Sequence, residues 1–137
     1  MKKLEDWRIN LRLFFAVHKE YPFTWGTWDC CKFADGAIVA MTGESIIPDH
    51  FHWTDRKSAM MTLRKNGGNL TQCVKNLAIG AGLKPTRTVQ LGDLVVYKKT
   101  QTAVGICDGF GIRAPSDDGV AIVSKNYATD IFRIDEQ

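Results

Sequence analysis

Apolar positions recur every three or four residues through the first part of the chain, then give way to short β-rich runs after Pro85. Leu4, Trp7, Leu11, Phe14 and Val17 make one stripe, which predicts an amphipathic helix ending before Pro22. Cys30, Phe33, Ala34, Ala37, Ile38 and Met41 make a second stripe that opens at Asp29, with Gly43 as its stop. The pattern predicts a third helix over 55–65, closed by Asn66-Gly67-Gly68. A fourth starts at Asn69, with Gln72 in the capping-box position, carries Leu70, Val74 and Leu77, and ends at Gly80 and Gly82.

After Pro85, "DLVVYK", "AVGIC", "GIRAP" and "VAIVS" read as strands, with "KTQT", "DGFG" and "SDDG" as the turns between them; "DIFRI" reads as one more strand. Helices followed by strands on tight turns predict an α+β domain, its helices packed on an antiparallel sheet. Residues 1–137 show no repeat and no low-complexity linker, so the expectation is one domain, with 1–21 as an N-terminal helical extension.

Composition narrows the function classes. At 45% hydrophobic and 24% charged residues the chain can bury a core and is not of the disordered class. A net charge of +3 without a Lys/Arg stripe gives no warrant for a nucleic-acid partner. Glu5 and Asp6 interrupt the run after the basic start, so "MKKLEDWRIN" is not a signal peptide, and no apolar run reaches membrane-spanning length. The expected place of folding is a cytoplasm, where a disulfide framework is not expected for Cys30, Cys31, Cys73 and Cys107. Their spacing is not that of a zinc ribbon. Cys73 and Cys107 read as small buried hydrophobes.

Cys30 is different because of where the helix begins. With Asp29 as N-cap, Cys30 is the first helical residue, where free N–H groups and the helix dipole favour a thiolate. Cys31 lies about 100° around the helix, so the two thiols cannot share one role. Cys30 is the candidate nucleophile. No cofactor and no metal ion is called for.

The segment "WGTWDCCKFADGAI" resembles the nucleophile segment of the NlpC-type papain-like cell-wall cysteine peptidases, in which an Asp-Cys pair opens a helix behind an aromatic-Gly turn. "LGDLVVY" resembles that family's Pro-Gly-Asp-Leu-Val strand, and "AVGICDGFGIRAP" its His-Val-Gly-Ile-Tyr strand, turn and following His-Ala strand. The order holds over residues 22–124. Closer still, the chain resembles phage tail proteins related to these peptidases. The resemblance implies a papain-like NlpC-type fold, with Cys30 as an actual or vestigial nucleophile.

The departures fall on the catalytic positions. Where the resemblance places the base, this chain has Ala103; where it places the residue that orients the base, it has Arg113. Neither side chain can take up a proton near neutral pH, and thiol catalysis on an amide needs a base to form the thiolate and later to protonate the leaving amine. No motif sets His18, His50 or His52 beside Cys30. His18 reads as a side chain near a helix end, and His50 and His52 as part of a surface connection, from which either could in principle substitute for the base. Asp93 and Asp108 read as a strand-end and a turn residue. Trp25 and Trp28 read either as groove-lining residues or as a lock between helices.

Three functions follow as expectations. The first is a structural component of a phage tail tip or baseplate, located in the virion and assembled in the host cytoplasm, which keeps a peptidase-like fold without efficient activity. Its partners would be other phage tail proteins. The second is an active cysteine peptidase that cuts peptidoglycan during DNA delivery. The third is a metal- or cluster-binding module built on the cysteines.

Overall fold

Three of the four helices begin where a short polar side chain takes up a free backbone N–H. In a computed structural model, which describes residues 1–136, these are α2 (Cys30–Thr42), α3 (Arg56–Lys65) and α4 (Leu70–Gly80), preceded by α1 (Trp7–His18). Asp29 accepts from the N–H of Lys32, Asp55 from Ser58 and Asn69 from Gln72. Asp55 and Ser58 form a reciprocal capping box, whereas the Gln72 side chain donates to Asn76 instead of reaching back to Asn69. Gly43 ends α2 at φ +81, a conformation that suits glycine, and returns its N–H to the Val39 carbonyl.

The first helix differs from the sequence reading. It begins at Trp7, after Leu4, and buries Trp7, Leu11 and Phe15; Val17 is 63% exposed. Ile9, Leu13 and Val17 form a second apolar row on the solvent side. Two rows at i, i+4 spacing satisfy the same period, so the pattern alone could not say which one faces inward. Trp7, Leu11 and Phe15 belong to the main core with Phe33, Ile38 and Met41 of α2.

The strands are β1 (Lys2–Lys3), β2 (Lys84–Thr86), β3 (Leu94–Lys98), β4 (Thr102–Cys107), β5 (Ile112–Ser116), β6 (Gly119–Val123), β7 (Ala128–Arg133) and β8 (Asp135–Glu136). Six form one antiparallel sheet in the order β2-β7-β3-β4-β5-β6, and β1 pairs with β8 as a small parallel clasp. The fold is therefore α+β, with helices against an antiparallel sheet. The helices cover the face that carries Leu94, Val96, Val104 and Ile106; Val95, Tyr97, Cys107, Ile112 and Ala114 form a smaller cluster on the other face. No helix of the described residues is long and apolar enough to cross a membrane.

Two details fix β4 against its neighbours. A side chain on Gly105 would run into the Arg113 carbonyl and come within 2.7 Å of Ile112 Cγ2, so only glycine lets β5 close on β4 here. The β4–β5 pairs are Ile106 with Arg113 and Cys107 with Ile112. At the beginning of β4 that side of the strand instead meets the N-terminus of α2.

Candidate functional site

Asp29 organises this end of α2. Its Oδ1 accepts from the Lys32 N–H at 3.0 Å, and its Oδ2 accepts from the Gly26 N–H at 2.9 Å and from the Trp53 indole N–H at 2.6 Å. One buried carboxylate thus fixes the helix start, the preceding turn and the connection between α2 and α3. Gly26 has φ +78, and a Cβ there would lie 2.7 Å from the Trp53 carbonyl, so the turn needs glycine for both conformation and approach. Thr24 and Trp28 pair across the turn, and the Phe23 N–H donates to the Ser116 carbonyl at 2.8 Å, tying it to β5.

Cys30 therefore stands at the first position of α2, facing β4. Val104 of β4 and the neighbouring Cys31 are the donor groups that bear on its thiol. The Cys30 thiol is held below its ordinary pKa, foremost by the hydrogen bond from Cys31; burial works against this, and the N–H groups of Val104 and Cys31 add to it while the Asp29 carboxylate opposes it. Cys31 is pushed well above the ordinary thiol range, first because it is the donor in that hydrogen bond and then by burial. The two adjacent thiols are thus shifted in opposite directions, Cys30 down and Cys31 up. Burial raises Cys73 and Cys107, and both are inert core thiols by this criterion. Tyr97 is pushed up to about 12 by burial and by the charge of Cys30.

The thiol pair lies in a groove of about 660 Å³ between the start of α2, the α3–α4 pair and the start of β4. Its lining is largely apolar, with Trp53, Leu63, Leu77, Tyr97 and Ala103 among the contributors. Arg56 and Arg64 are the charged side chains at its exposed rim. Tyr97 and the α3–α4 wall were not legible as parts of a site, since each reads as ordinary core from its spacing. The alternation in the connection before α3, with Phe51 and Trp53 lining the groove and His50 and His52 exposed, is the signal that points to Trp53.

The structure brings Cys30 and Ala103 to the same groove but not Arg113. Ala103 pairs with Tyr97, and Arg113 pairs with Ile106, whose side chains stand on opposite faces of the sheet. Arg113 lies on the helix side, where its Nε donates to Asp108 Oδ2 at 2.7 Å and its guanidinium rests 5.2 Å from the Phe15 ring centre. Although Arg113 is on the strand next to Ala103, it has no access to the thiol.

The histidines are elsewhere too. His18 donates through Nδ1 to the Phe14 carbonyl, 2.8 Å away, and packs against Phe14, Tyr21 and Trp28. His50 and His52 are exposed and do not line the groove. Asp93 is fully buried at the start of β3 and held by Arg133 at 2.8 and 3.0 Å. Trp28 locks α1 to α2 through Phe14 and Phe33, while Trp25 lines the groove. No three His, Cys, Asp or Glu side chains of the described residues gather where they could hold a metal ion.

The family model described as Domain of unknown function (DUF6950) matches residues 2–134. No curated protein matches the chain.

Proposed function

We propose, for a chain that belongs to the DUF6950 family, a structural role in a phage tail tip or baseplate, on a papain-like NlpC-type fold that lacks efficient peptidase activity. The observation that carries this reading is the groove at Cys30: it keeps the helix-start thiol, yet no imidazole of the described residues lines it, and Asp29 has its carboxylate committed to three N–H groups. Without a base, the amine of a cut peptide has no proton donor, and the loss is on the order of 10²–10⁴-fold. The motif order along residues 22–124 supports the fold, and the tail assignment rests on the resemblance to tail proteins of that group.

A second reading, an active peptidoglycan peptidase, is favoured by one observation, the thiol kept at the start of α2 in a groove. Incubation of the purified chain with peptidoglycan and with stem peptides separates the two. The expected result is no release of fragments above the rate of Cys30→Ser, together with detection of the protein at the tail tip of purified virions by gold-labelled antibody. Hydrolysis that depends on Cys30 refutes the structural reading, as does absence from virions.

A further inference from the structure

We infer that Cys30 is a site of S-acylation, which takes an acyl chain into the groove from an acyl thioester of an anionic, phosphate-bearing thiol. The inference rests on the base-free groove described above and not on the tail assignment. What the groove lacks is needed for amides and not for thioesters. An amine leaves only when protonated, whereas a thiol with a pKa of about 8.5 leaves as its anion. The step balances without a further reactant. The Cys30 thiolate attacks the thioester carbonyl, its C–S bond forms, the oxyanion collapses, and the carrier C–S bond breaks to release the carrier thiolate. The proton lost by Cys30 goes to solvent, from which the carrier thiolate regains one.

The surroundings fit each part of that donor. Cys30 opens α2, where the free N–H groups and the helix dipole favour a thiolate at the attacking sulfur. As the first helical residue, Cys30 has an N–H without an intrahelical acceptor, free to meet the oxyanion. The volume of about 660 Å³ and the apolar walls from α3, α4 and Tyr97 suit an alkyl chain. The exposed charges at the rim, Arg56 and Arg64, are both cationic and complement phosphate on the carrier. The same lack of a base leaves the product in place, because no group in the groove activates water against the new thioester. The outcome is one stable modification per chain rather than turnover.

The experiment incubates the full chain with decanoyl-CoA, with acetyl-CoA and with the uncharged decanoyl thioester of N-acetylcysteamine, followed by intact mass, peptide mapping and hydroxylamine treatment. The expected result is a single hydroxylamine-labile decanoyl group on Cys30, added at least about tenfold faster than acetyl. Arg56→Glu with Arg64→Glu should slow the CoA donor and leave the uncharged donor unaffected. Cys30→Ser should abolish labelling, and prior alkylation of Cys30 in the parent protein should do the same without any question of folding. Labelling spread over Cys73 and Cys107, indifference to chain length, or no labelling overturns the inference while leaving the tail reading intact. Indifference to the rim charges overturns the anionic donor. Release of more than one CoA per chain would reveal a base and overturn both readings.

Discussion

Replacing Asp29 with alanine tests whether one carboxylate holds the whole end of α2. Three N–H groups lose their acceptor at once: Lys32, Gly26 and the Trp53 indole. Loss of the N-cap alone costs about 1 kcal/mol. Lys32 and Gly26 can partly turn to water, but the Trp53 side chain is buried, and a buried donor without an acceptor costs about 1–3 kcal/mol. Together the loss should be about 2–4 kcal/mol, a large share of a stability on the order of 5–15 kcal/mol. Urea denaturation followed by circular dichroism gives the number directly. Trp53→Phe removes one donor and keeps the ring, so a double-mutant cycle with Asp29→Ala isolates the 2.6 Å bond, with an expected coupling of at least about 1 kcal/mol. A loss below about 1 kcal/mol for Asp29→Ala, or additive single mutants, would show that the turn and the helix are held by packing and that the carboxylate is incidental.

Three further outcomes follow from the same geometry. Cys31→Ala removes the donor that most lowers the Cys30 pKa and should move the pH profile of Cys30 alkylation upward, whereas Cys31→Ser keeps a donor and should move it less; mass-resolved iodoacetamide labelling reads both. Ala103→His puts an imidazole in the groove and should speed Cys30 alkylation near pH about 6, where an ordinary histidine is charged. Adding Arg113→His should bring no further gain, because Arg113 does not line the groove and is held at Asp108, and an additional gain would contradict that placement. Burial alone would raise the Asp108 pKa, but the hydrogen bond from Arg113 and the N–H groups of Gly111 and Phe110 outweigh it and hold it below the usual range. The resulting stability is present above the ordinary carboxylate pKa and is lost as pH falls toward the folded value, so Arg113→Ala should flatten the acid arm of a stability–pH curve; an unchanged arm refutes the pairing.

The sequence resolved the elements whose signals are local. Asp29, Asp55 and Asn69 name their helix starts because a short acceptor must sit there, and the five longer strands show in their β-branched runs. It missed β1, β2 and β8, which are two or three residues long, carry Lys2, Lys3, Lys84, Asp135 and Glu136, and exist only through their partners. It put Val17 on the buried face of α1 because two apolar rows share one period. At the site, Asp29 and Cys30 were legible as a helix start. The hydrogen bond from Trp53 spans 24 residues, and the facing of Arg113 depends on strand register, so neither has a local signature.

The place of β7 in the sheet bears on how the chain is made. Residues 128–133 insert between β2 and β3, so the sheet has a gap one strand in from its edge until they leave the ribosome. During that interval the nascent chain exposes the open edge of Leu94, Val95 and Val96, which later become fully buried, and β2 has nothing to pair with. At about 5–20 residues per second, the roughly thirty residues between β3 and β7 take on the order of seconds to emerge, a window in which a holding chaperone would be useful. A premature stop before residue 128 would therefore do more than shorten the protein. It would leave an aggregation-prone half-sheet with a thiol beside it, and full-length synthesis becomes the checkpoint for the whole fold.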